Sequence, residues 1–129
     1  MNSNGRDEVT GPLKGIKVLD WTMWQFGPVS TSMMGDLGAE VIKIEALDGD
    51  AGRALRRASN LAMNLAGGRV AYFEATNRNK RGIAVNLKTP EGREIVHKLV
   101  EKADVFVQNF RKGVAERLEL GYDNLREIN

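Results

Sequence analysis

The segment from residue 77 to residue 110 predicts a strand, a helix and a second strand in immediate succession. Ile83–Leu87 is a short apolar run, Thr89–Ala103 has the spacing of an amphipathic helix, and Val105–Val107 is a second apolar run. Two strands joined by a crossover helix favour a right-handed parallel unit, in which ligands bind near the carboxyl ends of the strands. An α/β fold with a parallel sheet is therefore expected.

The helix within this segment has a well-defined predicted start. Thr89 is a candidate N-cap, Pro90 suits the first helical position because its missing N–H costs nothing there, and Glu91 complements the positive end of the helix dipole. One face of the helix is apolar and the rest of its circumference is polar, which predicts that it packs on a sheet. The apolar stripe consists of Ile95, Val96, Leu99, Val100 and Ala103.

The beginning of the chain predicts another strand, helix and strand. Ile16–Leu19 is expected to be the first buried strand, residues 20–27 the loop at its carboxyl end, and Pro28 the start of the following helix. Glu40–Glu45 is expected to be the next strand because it is rich in β-branched residues. The core-facing side of the helix is predicted to carry Val29, Met33 and Leu37, with Gly38 as its stop.

The remaining segments predict shorter elements. Residues 1–11 are polar and are expected to form a flexible N-terminus, which leaves residues 12–129 as one folded unit. A loop with a short helix is expected over residues 46–68. The other predicted elements are a short element at Tyr72–Ala75, a helix at Val114–Leu120 ended by Gly121, and a final helix capped by Asp123 that carries Leu125 and Ile128.

Composition excludes several classes of function. The net charge is +2, with 19 basic and 17 acidic residues interspersed, which argues against nucleic acid as a partner and suits a small anionic ligand. The absence of cysteine excludes thiol nucleophiles and thiolate metal sites. No stretch approaches the roughly 20 apolar residues of a membrane span, and the N-terminus has no apolar signal core. A cytoplasmic protein that does not bind membranes is therefore expected.

Common catalytic and metal-binding motifs are also missing. His97 is the single histidine and falls on the polar side of its helix, so a surface position is expected. Asp48 and Asp50 flank a glycine, but the other ligands of a calcium loop are missing, so a turn without a metal is expected. Neither a P-loop nor a glycine-rich dinucleotide loop occurs, and no serine lies in a nucleophile elbow.

Polar and cationic residues recur where the predicted strands end. Along the carboxyl edge of a parallel sheet, a few cations and backbone N–H groups can bind phosphates while an apolar surface holds the rest of a ligand. Lys80 and Arg81 precede the third strand and are expected near its other end. Trp21, Trp24 and Phe26 either form the apolar surface or belong to the core or an interface. The edge residues are Gln25, Asn86, Lys88, Asn109, Arg111 and Arg117.

Four segments, in one order from Leu13 onward, resemble the N-terminal part of the class III (CaiB/BaiF-type) CoA-transferases. They read LKGIKVLDWT, QFGPVSTSMMGDLGAEVIKIE, NRNKRGIAVNLKTPEGREIV and ADVFVQNFRKGVAERLELGYDNLREIN. The resemblance implies a doubly wound, Rossmann-like, three-layer α/β domain and a second, smaller domain. It also implies two interlocked subunits, as a homodimer or through pairing with a complementary chain.

The resemblance further implies a site for CoA, bound as a substrate rather than as a tightly held cofactor. The matched positions are Gln25 and Phe26 beside the thioester; Val85, Asn86, Leu87 and Lys88 along CoA; Asn109, Phe110 and Arg111 at the next strand end; and Arg117 at the phosphates. A basic residue often follows the I-K-I-E motif in the family, but here that position is Ala46. Contact with adenine or phosphate at this point then depends on Arg53, Arg56 or Arg57.

The implied reaction moves CoA from an acyl-CoA to a small carboxylic acid. An aspartate nucleophile forms a mixed anhydride and then an enzyme-bound thioester before the second acid accepts CoA. That aspartate is expected beyond Asn129, so no catalytic residue is assigned within this chain, which is expected to be inactive alone. The aspartates that do not occupy the matching place are Asp20, Asp36, Asp48, Asp50, Asp104 and Asp123, of which Asp20 and Asp104 are expected to be structural.

Three alternatives to a transferase remain at this stage. One is a non-catalytic subunit that binds CoA or assembles with a partner chain, which the missing nucleophile and Ala46 favour. Another is a segment of an α-methylacyl-CoA racemase, which would differ in groups outside this sequence. The third is a flavodoxin-like or receiver-like domain, although the acidic cluster and lysine pattern of a receiver are not evident.

Overall fold

The computed structural model describes residues 10–57 and 64–129. The predicted flexible N-terminus over residues 1–11 therefore lies outside the described residues, except for its last two positions. Four strands are described: β1 (Lys17–Trp21), β2 (Glu40–Glu45), β3 (Lys80–Ala84) and β4 (Val105–Gln108). The helices are α1 (Phe26–Asp36), α2 (Ala71–Thr76), α3 (Pro90–Val100), α4 (Val114–Arg117) and α5 (Tyr122–Ile128), with 3₁₀ turns at Ala51–Arg57 and Ala66–Gly68.

Within the described residues, the strands form one parallel sheet in the order β3-β2-β1-β4. Leu19 of β1 is in register with Ile42 on one side and Phe106 on the other, which makes β1 a central strand. The predicted α/β class and parallel pairing are confirmed. Because the chain moves outward from β1 to β3 and then returns to the other side of β1, the strand order reverses at β1. In such sheets, ligands bind in the crevice at the carboxyl ends beside the reversal.

The two faces of the sheet pack against different helices. One face packs against α3, α4 and α5 and is apolar, with a core of Leu19, Trp21, Ile44, Val85, Val96, Val100, Ala115 and Leu120. The other face, toward α1, has a smaller apolar cluster near the amino ends of the strands, built on Val18, Ala39 and Val41. Toward the carboxyl ends this second face becomes polar, because Asp20 and Lys43 are neighbours in register. The three-layer arrangement is confirmed.

The third strand starts earlier than predicted. The predicted strand was Ile83–Leu87, whereas β3 runs from Lys80 to Ala84, because its pairing with β2 begins at Val41 opposite Lys80. Lys80 and Arg81 are thus the first two residues of the strand rather than its preceding flank. The shift also releases residues 85–88 from the strand, so that they form the loop at its carboxyl end.

The buried face of α1 was predicted wrongly. Met33 and Leu37 are 55% and 46% exposed, and the buried residues of the helix are Gly27, Pro28, Thr31 and Ser32. The reason is the polar part of the sheet beneath the helix, which selects hydroxyl groups over apolar side chains. Thr31 Oγ1 donates to Asp20 Oδ2 at 2.7 Å, and Ser32 Oγ donates to the Thr76 carbonyl at 2.6 Å. The helix also begins at Phe26, two residues before the predicted start.

The helix α3 starts as predicted. Pro90 is its first residue, and the Thr89 side chain accepts a hydrogen bond from Gly92 N at 3.2 Å. Val96 and Val100 are buried, but Ile95 is 45% exposed, so the predicted apolar stripe was too wide. In α5 the N-cap is Gly121, and Asp123 lies in the first turn instead of capping the helix. Leu125 and Ile128 of that helix are partly buried and pack against the larger core.

Replacing Gly92 by alanine is expected to destabilise the fold. In an ordinary helix interior this change stabilises by about 1 kcal/mol, but here an added Cβ would stand 2.0 Å from the Asn86 carbonyl oxygen. The loop after β3 must then move, and we expect the free energy of unfolding to fall by about 2 kcal/mol. Thermal unfolding followed by circular dichroism measures this change. Gly82→Ala is the control, because its Cβ would meet its nearest atom at 3.8 Å. Unfolding of Gly92→Ala at or above the wild-type temperature would contradict this close approach.

Candidate functional site

A buried ion pair links the end of β1 to the start of β3. The carboxylate of Asp20 is fully buried and lies 2.8 Å from Lys80 Nζ, and it also accepts a hydrogen bond from the Thr22 hydroxyl. Lys80 Nζ donates in addition to the carbonyls of Pro28 and Thr76 at 2.8 and 3.1 Å. Burial lowers the pKa of Lys80, while the hydrogen bond to Asp20 opposes that shift. Asp20 is structural, as the sequence predicts.

A second buried pair lies one strand away. Lys43 and Asp50 are both about 2% exposed at their side chains, and Lys43 Nζ is 2.9 Å from Asp50 Oδ2. Lys43 Nζ also donates to the Thr22 carbonyl at 2.9 Å. Asp50 Oδ1 accepts from Gly52 N at 2.7 Å, which closes a turn after β2. Asp48–Asp50 is therefore a turn, as predicted, and the described residues contain no cluster of side chains suited to a metal ion.

A cavity of about 530 Å³ opens at the carboxyl ends of the strands. Its wall is largely apolar, with a few carboxylate, amide and ammonium groups, which is the composition of many sites for elongated organic ligands. Segments that follow all four strands contribute to it. The lining residues are Trp21, Thr22 and Met23 at and beyond the end of β1; Ile44–Asp50 at and beyond the end of β2; Val85–Lys88 after β3; and Phe110, Val114 and Leu118 after β4.

The loop after β3 is held in place by its own hydrogen bonds. The Asn86 side chain accepts from Lys88 N at 3.2 Å, and the Asn86 carbonyl accepts from Thr89 N at 3.1 Å. Val85 and Leu87 turn toward the core, whereas Asn86 and Lys88 are exposed. The predicted residues Val85, Asn86, Leu87 and Lys88 therefore lie together on the cavity wall.

The segment after β4 reaches across the crevice to β1. The Asn109 side chain accepts from Met23 N at 2.9 Å and donates to the Met23 carbonyl at 2.8 Å. Phe110 stacks on Trp21 with ring centroids 4.3 Å apart, and both rings line the cavity. Trp21 is thus part of both the core and the apolar wall. Asn109 lies at the edge but not in the wall, and its amide holds Met23.

Cations cluster on the segments that follow β3 and β4. Within the described residues, these cations have no carboxylate within ion-pair distance, in contrast to Arg53, Arg78 and Arg93, which do. An unpaired cation near an apolar cavity is suited to an anionic ligand. The cations are Lys88, Arg111, Lys112 and Arg117. Lys88 lines the cavity, and Arg117 lies on α4 between the lining residues Val114 and Leu118.

Gln25 and Phe26 lie at the same edge but outside the cavity wall. Gln25 is the N-cap residue of α1, and Phe26, the first helical residue, is 87% exposed. Trp24 precedes them with a φ of 68°, a left-handed conformation that is uncommon for a bulky residue. Trp24 is 51% exposed and belongs to neither core cluster, and it does not line the cavity. Met23 is the member of this loop that reaches the cavity.

Comparison with known proteins identifies the family. Residues 13–129 match the sequence profile described as CoA-transferase family III. The chain belongs to CoA-transferase family III. This confirms the family resemblance found in the sequence motifs.

The family III chain is similar to enzymes with different stated substrates. It is 47% identical over 122 residues to a protein named acyl-CoA transferase from Fusarium pseudograminearum, covering 92% of this chain and 27% of that protein. It is 40% identical over 121 residues to the formyl-CoA:oxalate CoA-transferase of Streptomyces avermitilis, covering 94% of this chain and 28% of that enzyme.

A solved structure gives the same result for the fold. The crystal structure of a CAIB/BAIF family protein from Brucella suis matches with a TM-score of 0.83 and 40% identity, covering 93% of this chain and 31% of that one. The family III chain therefore spans less than a third of the length of each of these proteins.

The family resemblance implies a cation at position 46, where this chain has alanine. Arg53 does not supply that cation, because its guanidinium is already engaged. The Arg53 guanidinium makes two hydrogen bonds of 2.8 Å to the Glu45 carboxylate and lies 3.6 Å from the centre of the Phe73 ring. The side chains of Arg56 and Arg57 lie outside the described residues. Ala46 and Leu47 instead extend the apolar wall, and Leu47 is 70% exposed.

Several residues of the site were not predicted. Met23, Leu47, Val114 and Leu118 line the cavity, but each looks in the sequence like an ordinary core or loop residue. Lys43 had a detectable signal, because a lysine within the apolar run of a buried parallel strand requires a partner.

His97, expected to be a surface residue, is half-buried, and its Nε2 lies 2.9 Å from the Glu119 carbonyl oxygen. None of the described helices is long and apolar enough to cross a bilayer.

The ion pair of Glu45 predicts a pH dependence of stability. Burial alone would raise the pKa of Glu45, but hydrogen bonds from Arg53 and from Asp50 N outweigh it and hold the pKa below 4.5. The stabilisation is then complete above about pH 4.5 and is lost as the pH falls through the lower, folded-state pKa. When the free energy of unfolding is measured in urea at pH 7 and at pH 3, its decrease should be about 1 kcal/mol larger for wild type than for Glu45→Gln.

Glu127→Gln, an exposed change on α5, is the control for this pH series and should follow wild type. Parallel pH profiles for wild type and Glu45→Gln would show that the Glu45 carboxylate does not stabilise the fold through its charge.

Proposed function

We propose that residues 12–129 form the CoA-binding segment of a CoA-transferase that moves CoA between an acyl-CoA and a carboxylic acid. The observation that carries the proposal is the apolar cavity at the carboxyl edge of the sheet, with unpaired cations on the adjoining segments. CoA combines a long, weakly polar pantetheine arm with several phosphates. The apolar cavity suits the arm, and the cations suit the phosphates. Membership of family III supports the same ligand.

In this proposal the two parts of CoA bind to different groups. Trp21, Phe110 and Leu87 supply the apolar wall for the pantetheine arm, and Val85 and Asn86 complete that side. Lys88, Arg111 and Arg117 bind the phosphates, since a charge-assisted hydrogen bond to phosphate is stronger than a neutral one. Asn109 acts by holding Met23, and Gln25 and Phe26 approach the thioester end from the loop after β1.

The proposed chemistry is acyl transfer through a carboxylate nucleophile. An aspartate attacks the thioester carbonyl of the donor and expels CoA thiolate, which leaves a mixed anhydride; the thiolate then attacks the aspartyl carbonyl, releases the donor acid and forms an aspartyl-CoA thioester. The acceptor carboxylate attacks this thioester and again expels CoA thiolate, and the thiolate attacks the acceptor carbonyl of the new anhydride to give the product acyl-CoA and free aspartate. We place this aspartate, and a second domain, outside residues 1–129. Among the described residues, Asp20, Asp36 and Asp50 are held in ion pairs and Asp104 accepts a hydrogen bond from Lys17 N, which supports the placement. The chain alone is therefore expected to be inactive.

Calorimetric titration with CoA tests the binding site. Wild type should bind CoA weakly, and Lys88→Ala and Arg117→Ala should each weaken binding by at least about tenfold, because each removes a charged partner of a phosphate. Lys102→Ala is the matched control, since Lys102 is an exposed lysine just before β4, at the amino end of the sheet. Equal dissociation constants for wild type, Lys88→Ala and Arg117→Ala would refute the proposed site.

A second candidate function is a binding or assembly subunit without its own chemistry. Two features favour it: the family resemblance implies a cation at the position of Ala46, and Arg53 is already engaged by Glu45. The exposed side of α1 also carries an apolar stripe of Phe26, Met33 and Leu37. We propose that this stripe is covered in an assembly, either by a second copy of the chain or by a complementary chain.

Light scattering of the purified chain tests the assembly. Wild type is expected to self-associate, and Met33→Lys combined with Leu37→Glu is expected to shift it to monomer, because two charges would have to be buried in the contact. Ile95→Lys is the control: Ile95 is 45% exposed, much like Leu37, but lies on α3 at the other face of the sheet. A wild-type chain that stays monomeric, alone and with candidate partner chains, would contradict an obligate assembly.

A further inference from the structure

Lys43 lies behind the cavity rather than in its wall. It occupies β2 between Ile42 and Ile44, and because side chains alternate along a strand, it points away from the apolar face to which Ile44 contributes. Ile44 lines the cavity and Lys43 does not. Its side chain is 2% exposed, so the ammonium is removed from water.

The two contacts of that ammonium are to different loops. Lys43 Nζ is 2.9 Å from the carbonyl oxygen of Thr22, in the loop after β1, and 2.9 Å from Asp50 Oδ2, in the turn after β2. Thr22 and Asp50 both line the cavity. A single buried charge thus joins two segments of the cavity wall that are far apart in the sequence.

Stability alone is a poor reason for such a lysine. Burying a charge is costly, and replacing a buried ion pair by apolar residues of similar volume is often neutral or stabilising. Methionine has an unbranched, flexible side chain similar in shape to the lysine stem, so it is a suitable apolar replacement. What an apolar side chain cannot supply is an ammonium that donates to the Thr22 carbonyl and forms an ion pair with the Asp50 carboxylate at the same time.

We propose that Lys43 is a positioning residue for the CoA cavity, setting the width between the loop after β1 and the turn after β2. This inference rests on the proposed function, because it assigns the cavity to CoA. Lys43 does not line the cavity itself; it acts through Thr22 and Asp50, which do. Without it, the two segments separate and the apolar wall no longer closes on the pantetheine arm.

Lys80 provides a matched comparison within the same molecule. It is also 2% exposed and also paired with a buried aspartate, Asp20. Its other partners are the carbonyls of Pro28 and Thr76 and the side chain of Asn77, and none of these residues lines the cavity. A purely structural role predicts that the two lysines behave alike when replaced, whereas a positioning role predicts that they differ.

The test compares Lys43→Met with Lys80→Met at a temperature where circular dichroism shows each variant folded. Lys43→Met should bind CoA about tenfold more weakly than wild type in calorimetry, which corresponds to one lost hydrogen bond to a charged group. Lys80→Met should bind within about twofold of wild type. Equal affinity of Lys43→Met and wild type, or equal losses in both variants, would overturn the inference.

A double variant separates positioning from stability. Lys43→Met with Asp50→Leu removes the pair without leaving a lone buried charge, so it should regain much of the lost melting temperature but not the lost affinity. Wild-type affinity in this double variant would overturn the inference. If Lys43→Met fails to fold, Asp50→Asn replaces it, since the amide oxygen can still accept from Gly52 N but the ion pair with Lys43 is lost. Unchanged affinity of Asp50→Asn for CoA would count against the proposal.

Amide hydrogen exchange makes the inference testable without CoA. The amides of Met23 and Gly49 are hydrogen-bonded, to Asn109 and to the Ala46 carbonyl. Lys43→Met should speed exchange at both about tenfold, and Lys80→Met at neither. If wild type does not bind CoA, the proposed function fails, but the exchange rates still decide whether Lys43 holds the two loops. Unchanged exchange in Lys43→Met would refute the positioning role of Lys43.

Discussion

The carboxylate of Asp20 is completely buried, and it is surrounded by the hydroxyls of Thr22 and Thr31 and the ammonium of Lys80. This contact joins three elements that no sheet hydrogen bond connects directly, since Lys80 begins β3, which pairs with β2 and not with β1. It also determines which face of α1 meets the sheet, because the helix must bring Thr31 to the carboxylate. Removing one partner would leave a buried charge without compensation, which is far more costly than losing a surface pair.

The cavity forms where the chain leaves β1, and several contacts other than that of Lys80 hold this loop. The Thr22 hydroxyl donates to Asp20, which fixes the first residue after the strand. Lys43 and Asn109 then hold the next residues from two sides, one through the Thr22 carbonyl and the other through the backbone of Met23. The apolar wall can therefore consist of short loops, because a polar network beneath them holds their backbone.

Local signals in the sequence predicted part of this arrangement well. Strand Glu40–Glu45 and the start of α3 at Pro90 depend on residues near one another in the chain, and both were predicted correctly. The buried side of α1 was predicted wrongly, because it depends on Asp20 in a different element. The wall residues Val85–Lys88 could be placed at a strand end from their order alone, but Val114 and Leu118 could not, since their position depends on how α4 folds back over the sheet.

The central strand has neighbours that are distant in the chain. Met23 and Asn109, which clamp the crevice, are 86 residues apart. A ribosome adds roughly 5–20 residues per second, so β1 emerges several seconds before β4 can cover its open edge. During that interval the exposed edge can pair with another nascent chain, so the wide separation of β1 and β4 along the chain creates a risk of misassembly during synthesis.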